Sequence, residues 1–310
     1  MNKPILCVMC GLSGSGKSTI ARNSLDTFNN PVIVSSDAIR EELTGKVEDQ
    51  SKNDEVFKLF HERIRKNLEN KHDVIADATN FTMKSRRAIM MKINGLDVHK
   101  ICYVIPKPFK ECKKDNINRE HPVPNEVLEK QIRRFQIPFK EEGFDEIFIH
   151  NCEEWNRYKL SNLELLAATY NFDQKNPHHT MTLDKHCMNA YRLFSKTRET
   201  ECPLSQEYLD GFVMGAKLHD IGKVSTQTFD DDGIAHYYNH PELGSYVVLS
   251  QMKMPLTWDD NTLLDCCFLI NYHMMPFNWD SDKTRERWKK RFGEDKYKLL
   301  LDFNECDKAR

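Results

Sequence analysis

The chain has 310 residues, a net charge of −2, and 39% apolar and 30% charged residues, a composition typical of a soluble protein. This length suffices for two ordinary domains with separate cores. No apolar run approaches the roughly 20 residues of a membrane span, so we expect no membrane-spanning helix.

Two features predict a cytoplasmic protein. The N-terminal residues run directly into the first predicted strand, so we expect no cleavable signal peptide. The ten cysteines lie scattered through predicted strands and helices, without the closely spaced pairs of a zinc site. We therefore expect reduced thiols, most of them acting as small core residues.

A glycine-rich stretch near the N-terminus has the pattern of a phosphate-binding loop. It reads Gly-x4-Gly-Lys-Ser over residues 11–18, between an apolar run that predicts a strand and a predicted helix. Backbone N–H groups of such a loop turn toward a polyphosphate, and the helix N-terminus adds partial positive charge. The predicted nucleotide-binding residues are Gly11, Ser13, Gly14, Ser15, Gly16, Lys17, Ser18 and Thr19. We expect Lys17 to reach the β- and γ-phosphates of ATP or another nucleoside triphosphate, and Ser18 to ligate Mg²⁺.

Strands and helices alternate through the first half of the chain. The predicted strands lie at residues 5–9, 31–36, 72–80, 98–105 and 146–150. Apolar residues at helical spacing over 54–70 predict a helix with one face toward a core. This alternation predicts an α/β domain with a doubly wound parallel sheet.

Charged residues follow two of these strands, at the sheet edge where parallel sheets bind ligands. Asp37 and Arg40 open the helix after the second strand, and Asp77 lies near the end of the third. In one interpretation Asp37 takes a proton from an acceptor hydroxyl, Arg40 binds a phosphate, and Asp77 joins the metal shell or the acceptor site. In the other, Ser36 and Asp37 only cap a helix. Both roles can coexist.

The segment 81–140 is basic, with 14 Lys and Arg against 6 Asp and Glu. Positive charge beside a phosphate site fits a polyanionic substrate, although solvated helix faces give the same count. Between the fourth and fifth strands, residues 116–135 predict a lid over the nucleotide. Arg119 would there neutralise charge on the transferred phosphoryl group, and a solvated helix is the alternative.

Together these motifs resemble the 5′-OH polynucleotide kinase family of phage and bacterial end-healing enzymes. The resemblance covers about residues 1–150. It is carried by the phosphate-binding loop, Asp37-x2-Arg40, Asp77-Ala-Thr-Asn80 with Arg86 and Arg87, and Asn116-x2-Arg119-x3-Val123-Pro124. One departure is the extra residue between Asp77 and Asn80, where the phage form reads Asp-Thr-Asn.

This resemblance implies roles for individual residues. The implied catalytic residues are Lys17, Asp37 as general base, Arg40 and the lid residue Arg119. Arg40 is implied to contact a 3′-phosphate of the acceptor. The implied acceptor site consists of Arg40, Asp77, Thr79, Asn80 and Arg87.

The second half of the chain has its own pattern of histidine and aspartate. We predict a kinase domain over 1–160, a linker over 161–176 and a second domain over 177–310. Imidazoles and carboxylates on separate helices of the second domain can converge on one or two metals. Each histidine alone is more often a surface or core residue than a ligand. The adjacent His219 and Asp220, predicted within an apolar helix, would be costly to bury without a metal or partner.

This pattern resembles the HD phosphohydrolase superfamily, and most closely the HD domains attached to bacterial tRNA nucleotidyltransferases. The resemblance covers about 175–310 and is carried by Thr182–His186 and His219–Lys223. It implies an all-α HD domain. The implied metal ligands are His186, His219, Asp220 and Asp307, with His240 and His273 where two-metal members supply further ligands.

The same resemblance points to phosphate contacts and to the metals. It makes His179 and Lys223 phosphate contacts, for which structural roles are equally open. The expected metals are Mn²⁺, Co²⁺, Ni²⁺ or Fe²⁺, because imidazole-rich sets favour transition metals.

The two halves together predict an enzyme that heals nucleic-acid ends. The kinase would phosphorylate 5′-OH ends, and the HD half would remove 2′,3′-cyclic or 2′-phosphate from RNA 3′ ends, as in cleaved tRNA. Sealing would need a separate RNA ligase, since no ligase motif is present. The alternatives are a nucleoside or sugar kinase fused to a nucleotide phosphohydrolase, and a non-enzymatic ATP-dependent regulator. An oligomer is compatible with either enzyme.

Overall fold

The computed structural model describes residues 3–28, 31–177, 180–201 and 206–308. The chain divides into two compact units. The first consists of Met1–Ile132 and Pro138–Glu153, and the second of Arg133–Ile137 and Glu154–Arg310. Each unit is described by itself below.

A five-stranded parallel sheet forms the centre of the first unit. Its order is β2-β3-β1-β4-β5, and all four strand pairs are parallel. The strands are β1 (Ile5–Cys10), β2 (Val32–Ser35), β3 (Val74–Asp77), β4 (His99–Val104) and β5 (Glu146–Ile149). The predicted parallel α/β sheet is thus confirmed. Strand β3 ends earlier than predicted, at Asp77, and Asn80 already has a positive φ of 43°.

Six helices surround this sheet in the described part of the first unit. They are α1 (Lys17–Asn23), α2 (Ser36–Thr44), α3 (Asn53–Glu69), α4 (Met83–Lys92), α5 (Phe109–Ile117) and α6 (Asn125–Ile132). Helix α3 shows why the sequence folds this way: its buried residues Val56, Phe60, Ile64 and Leu68 recur every four positions. This spacing places them on one face, which packs into the core.

A buried ion pair lies in the first unit. Arg86 and Glu142 have almost fully buried side chains, and two bonds of 2.6 and 2.9 Å join the guanidinium to the carboxylate. The same guanidinium donates to the backbone carbonyl of Asn80 at 3.1 Å. Arg86 therefore supports the turn that follows β3, and is too deeply buried to face a ligand.

The second unit is mainly helical. Its helices are α7 (Asn162–Ala167), α8 (Leu183–Glu201), α9 (Gln206–Leu218), α10 (Lys223–Thr226), α11 (His240–Gln251), α12 (Asp260–Tyr272) and α13 (Asp282–Lys308). A two-stranded antiparallel hairpin, β6 (Thr228–Phe229) and β7 (Ala235–His236), departs from the predicted all-α architecture. The hairpin closes through a turn at Gly233, whose φ is 75°.

Residues 161–176, which the sequence predicts as a linker, instead belong to the second unit. Helix α7 begins there with a capping box between Ser161 and Glu164, and Leu165 is buried. The preceding Leu160 exchanges backbone hydrogen bonds with the end of α11, at Gln251 and Lys253. Burial and hydrogen bonding of this segment remove the freedom that a linker would need.

Helices α9 and α12 pack closely against each other. A Cβ atom added to Gly211 would lie 2.5 Å from the carbonyl oxygen of Thr262, and one added to Gly215 would lie 2.8 Å from that of Cys266. The two glycines are four residues apart on α9, so both lie on the same face. The helices can approach this closely only because neither position carries a side chain.

The short segment Arg133–Ile137 packs within the second unit. The Phe135 ring meets the Tyr246 ring edge to face, with centroids 4.8 Å apart. The Asn271 side chain donates to the Phe135 carbonyl at 3.0 Å and accepts from the Ile137 N–H at 3.3 Å.

The sequence predicts reduced thiols and no membrane-spanning helix. Nine cysteines of the described residues carry free thiols, eight of them buried, and Cys202 lies outside the described residues. Among the described helices, none is long and apolar enough to cross a membrane.

Candidate active sites

The phosphate-binding loop connects β1 to α1 at the carboxyl edge of the sheet. Gly14 and Gly16 have φ values of 76° and 89°, which residues with a side chain rarely adopt. A Cβ atom on Gly14 would also lie 2.3 Å from the Cys112 carbonyl oxygen. The loop is thus held in a conformation that requires glycine.

Buried polar atoms line this loop. Lys17 is buried and donates to the Leu12 carbonyl at 2.7 Å. The Ser15 hydroxyl is buried without a hydrogen-bond partner. Burial lowers the pKa of Lys17, while the Asp77 carboxylate opposes this effect. A polyphosphate would supply the negative charge and acceptors that these groups lack.

Gln131 of α6 fixes the loop from the far side, and sequence reasoning missed it. Its side-chain oxygen accepts from the Ser13 N–H at 2.8 Å, and its amide donates to the Ser13 hydroxyl at 2.9 Å. All these groups are buried. Because the two residues are 118 positions apart, no local pattern could have paired them.

Oxygen ligands suitable for Mg²⁺ lie next to Lys17. The Ser18 hydroxyl lies near the Asp77 carboxylate. Burial raises the pKa of Asp77, and Ser18 and Lys17 offset part of that rise. A hydroxyl and a carboxylate oxygen are donors that Mg²⁺ prefers, so this pair fits the metal.

Asp37 lies beside this pair in the sheet, because β2 and β3 are adjacent and Ser35 pairs with Asp77. One Asp37 oxygen is 3.1 Å from Arg40, and the other is 3.6 Å from Arg119. The side chain is half exposed, at 49%. It is therefore open to an incoming group while flanked by two cations.

The N-cap of α2 differs from the residue that the sequence predicts. Ser35, rather than Ser36, is the N-cap, and its hydroxyl accepts from the Ala38 N–H at 3.4 Å. Capping thus falls to Ser35 and leaves Asp37 free of that role. Arg40 is buried, is held by Asn53 at 2.9 Å, and its Nε atom has no partner.

Arg119 lies between α5 and α6, in the segment predicted as a lid. The side chain of Asn116 closes this loop by bonding both backbone groups of Val123, at 2.7 and 3.1 Å. The Arg119 N–H donates to the Asn116 carbonyl at 3.2 Å. These bonds order the loop that places the Arg119 guanidinium 3.6 Å from the Asp37 carboxylate.

The other predicted acceptor residues have mixed placements. The Asn80 side chain is buried and donates to the Met9 carbonyl at 2.9 Å, so it supports β1 instead of lining an acceptor site. Thr79 is half-buried, and its carbonyl accepts from the Gly11 N–H at 2.9 Å. Arg87 is half-buried on α4. The extra residue after Asp77 accompanies this inward turn of Asn80.

A cluster of four histidines and two aspartates forms the centre of the second unit. The structure brings together all six residues predicted as metal ligands. The Nε2 atoms of His186 and His219 are 3.3 Å apart. Asp307 Oδ1 lies 3.0 Å from His186 and 3.2 Å from His219, and Asp220 Oδ2 lies 3.4 and 3.3 Å from the same atoms.

Asp220 also faces a second group of histidines. Its other oxygen, Oδ1, is 3.0 Å from His240 Nε2 and 3.5 Å from His273 Nε2. These two nitrogens are 3.4 Å apart. The Asp220 carboxylate therefore lies between two sets of donors, with one oxygen toward each.

Backbone carbonyls orient three of the four imidazoles. The Nδ1 atoms of His219, His240 and His273 lie 2.8–2.9 Å from the carbonyls of Ala216, Tyr237 and Ile270, respectively. A carbonyl can only accept, so Nδ1 must carry the proton. Each Nε2 lone pair consequently points into the cluster, as metal ligation requires.

The placement of His219 and Asp220 corrects the sequence interpretation. Helix α9 ends at Leu218, so the pair lies in the turn that follows and not inside the helix. The His219 imidazole there caps one of the last carbonyls of α9, that of Ala216. Leaving the helix allows the two adjacent side chains to point to the same site.

Ionisable groups inside the cluster have strongly shifted pKa values. Burial alone would raise the pKa of Asp220, but Lys223 and His219 hold it well below its usual range. Burial alone would lower the pKa of His219, but Asp220 and other neighbours raise it well above its usual value. Four imidazole nitrogens around two carboxylates are donors that suit divalent transition metals, so the residues fit one or two such ions.

Lys223 and a cavity adjoin the cluster. The Lys223 Nζ atom lies 2.7 Å from Asp220 and donates to Gln174 at 2.9 Å; Gln174 was not foreseen from the sequence. His179, the other predicted phosphate contact, lies outside the described residues. A cavity of about 590 Å³ opens beside His186, Asp220 and Asp307.

One family model matches part of the chain, mostly within the first unit. Residues 6–138 match a family model described as an AAA domain. A relative from Methanococcus maripaludis, L-seryl-tRNA(Sec) kinase, is 27% identical over 177 residues, which cover 55% of this chain and 68% of the relative.

Two solved structures are similar with low TM-scores. One is described as the Pnkp1/Rnl/Hen1 RNA repair complex, with 25% identity, a TM-score of 0.40, and coverage of 43% of this chain and 44% of that one. The other is a fungal RNA kinase, with 17% identity, a TM-score of 0.37, and coverage of 48% and 74%. The chain thus spans less than half of the first structure. The first unit thus combines a parallel five-stranded sheet with a Gly-x4-Gly-Lys-Ser loop, and residues 6–138 are similar in sequence to the AAA domain model.

Proposed function

We propose that this protein heals nucleic-acid ends, by phosphorylating 5′-OH ends with ATP and by removing 2′,3′-cyclic or 2′-phosphate from RNA 3′ ends. The observation that carries the proposal is that each unit holds a separate set of side chains suited to binding phosphate. The first holds a P-loop beside a carboxylate flanked by two arginines, and the second holds six clustered donors. Cleavage of RNA by many nucleases creates both kinds of unligatable end.

In the kinase unit, Asp37 is the proton acceptor for the attacking hydroxyl. Its half-exposed carboxylate lies one strand away from Asp77, at the sheet edge that holds the P-loop. Positioned general bases contribute about 10²–10⁴-fold to rate. Arg40 and Arg119, now paired with Asp37, supply cations for the phosphates of acceptor and donor.

Binding of substrate would redistribute these ion pairs. The unpartnered Nε atom of Arg40 is available for an acceptor phosphate. Arg119, on the loop between α5 and α6, is available for the γ-phosphoryl group. Release of both arginines frees Asp37 to accept its proton. Lys17 and the Ser18–Asp77 pair would hold the triphosphate and Mg²⁺.

In the second unit, His186, His219, Asp220 and Asp307 would hold one metal, and Asp220, His240 and His273 a second. Bound divalent metals of this kind lower the pKa of water and stabilise negative charge on a phosphoryl group. Lys223 places an ammonium group beside Asp220, where it would attract the substrate phosphate. The residues of the chain thus bind and orient the phosphate.

The acceptor of the kinase is the main alternative within this proposal. A nucleoside or sugar kinase would use the same P-loop. The basic character of 81–140 favours a polyanion. The Methanococcus relative is named as a kinase of L-seryl-tRNA(Sec), a substrate in which the seryl group is attached to RNA. We therefore place RNA ends first, with a separate ligase as the partner in the pathway.

A substrate panel tests the proposal. The full chain is incubated with ATP and Mg²⁺ on labelled 5′-OH oligonucleotides and free nucleosides, and with Mn²⁺, Co²⁺, Ni²⁺ or Fe²⁺ on RNA bearing 2′,3′-cyclic phosphate. We expect phosphate transfer to oligonucleotides to exceed transfer to nucleosides and to fall with salt. Equal activity on a nucleoside would move the assignment to a small-molecule kinase.

Matched variants separate the two activities. Lys17→Ala should abolish the kinase and leave removal of 3′-terminal phosphate unchanged. His219→Ala combined with Asp220→Ala should do the reverse. A protein that leaves phosphate on every RNA 3′ end with each of the four metals, but hydrolyses free nucleotides, would contradict end healing by the second unit.

A further inference from the structure

Exposed aromatic side chains lie in the wall of the cavity beside the metal-binding cluster. His236 at the end of β7 and the following Tyr237 and Tyr238 line this cavity, and the lining also includes Met274 and Phe277. Tyr238 is 67% exposed and Phe277 is 43% exposed. Large apolar rings left open beside charged ligands are typical of a binding surface.

The aromatic wall on the hairpin is built rigidly. The rings of His236 and Tyr238 are stacked, with an interplanar angle of 9° and centroids 5.6 Å apart. Asp230 fixes the His236 ring by a 2.9 Å hydrogen bond. A parallel pair of rings that is already ordered loses little entropy when a third flat ring joins it.

The adjacent Tyr237 is held by bonds of its own and lies close to Lys223. Its hydroxyl bonds the Gln174 carbonyl and accepts from Gln227 at 2.9 Å. The Lys223 ammonium lies 5.3 Å from the centre of the Tyr237 ring. The sequence from 236 to 240 thus passes from an exposed stack, through a fixed ring, to the ligand His240 within five residues.

We propose that the His236–Tyr238 stack binds the nucleobase of the nucleotide whose phosphate is removed at the cluster. This inference rests on the proposed function of the second unit and adds a specificity-determining surface to it. One cavity of about 590 Å³ contains both the aromatic wall and the phosphate-directed residues Lys223, Asp220 and Asp307. The ligand is therefore a nucleoside phosphate, carried by an RNA 3′ end, with its base on Tyr238.

The test compares two RNA substrates that differ only in the base. One oligonucleotide ends in an ordinary nucleotide with a 2′-phosphate, and the other ends in an abasic ribose 2′-phosphate. Stacking on an aromatic side chain is worth a factor of about 5–150 per base. We expect the full chain to prefer the first substrate by such a factor in kcat/KM. Tyr238→Ala should abolish the preference, and Tyr238→Phe should retain it.

Phe229 provides the matched control. It is an exposed aromatic residue of the same hairpin, at 51% exposure, but does not line the cavity. Phe229→Ala should keep the preference for the base. Equal loss of activity on both substrates in Tyr238→Ala would show that the ring only supports the fold, and an unchanged preference would overturn the proposal.

A binding measurement separates this inference from the hydrolase activity. Titration calorimetry with a nucleoside 2′-phosphonate, whose C–P bond is not hydrolysed, measures affinity without turnover, and we expect Tyr238→Ala to bind about 5- to 150-fold more weakly. If no RNA substrate loses phosphate, the hydrolase proposal fails while this titration still decides the role of Tyr238. Faster hydrolysis of the free nucleotide than of the RNA end would overturn the assignment to an RNA end.

Discussion

Removal of the carboxylate from the buried Arg86–Glu142 pair should unfold the first unit at a markedly lower temperature. Burial raises the pKa of Glu142, and the attraction of Arg86 offsets only part of that rise, so the pair is costly to bury. Breaking such a pair is costlier, because the remaining guanidinium has no solvent access. The expected loss for Glu142→Gln is about 3–5 kcal/mol.

Thermal unfolding of the full chain provides the assay. Addition of ATP and Mg²⁺ identifies the transition of the P-loop unit, because only that transition should rise with the ligand. At about 2–4 °C per kcal/mol for a unit of this size, Glu142→Gln should lower its midpoint by about 6–20 °C. The exposed pair Arg63–Glu42 has the same chemistry at 2.7 Å, so Glu42→Gln is the control.

The control Glu42→Gln should lower the free energy of unfolding by at most about 1 kcal/mol, since exposed ion pairs contribute little. The double replacement Arg86→Met with Glu142→Leu should recover much of the loss by removing the orphaned charge. Equal effects of Glu142→Gln and Glu42→Gln would refute the reasoning from burial.

Further predictions concern the two sites. Asp37→Asn should reduce phosphate transfer about 10²–10⁴-fold with ATP affinity nearly unchanged, as measured by kinetics and calorimetry; near-normal transfer would remove Asp37 as the base. Gln131→Ala should raise KM for ATP about 10-fold, because it orphans the N–H and hydroxyl of Ser13. Asp220→Asn should lower the content of both proposed metals, measured by mass spectrometry, because Asp220 contacts both groups of histidines. His273→Ala should leave the site at His186 occupied. Equal loss of metal in both variants would contradict a carboxylate shared between two sites.

Local patterns predicted most of the first unit. The apolar runs that became β1 and β4, and the glycine–lysine pattern of the P-loop, are each complete within a few residues. The topology of a parallel sheet then places the ends of β2 and β3 side by side. The closeness of Asp37 and Asp77 could therefore be predicted from the sequence. The partners that depend on distant packing, such as Gln131 and Glu142, carried no local signal.

The second unit shows the same limit. The resemblance to the HD superfamily implied the six donors that the structure brings together, and only His219 and Asp220 were expected from the cost of burying them without a partner. The end of α9 was misplaced, because the capping of Ala216 by His219 cannot be read from helical periodicity. The segment 161–176 looked like a linker, since its burial depends on contacts with the distant end of α11.

The close contact between α9 and α12 gives the histidine–aspartate cluster an unusual mutational profile. His219 follows α9 directly and His273 follows α12 directly, so the spacing of the helices sets the spacing of the two imidazoles. Even one methyl group at Gly211 or Gly215 must push the helices apart. In a library screened for metal content, these glycines should tolerate as little change as the ligands, although neither belongs to the cluster.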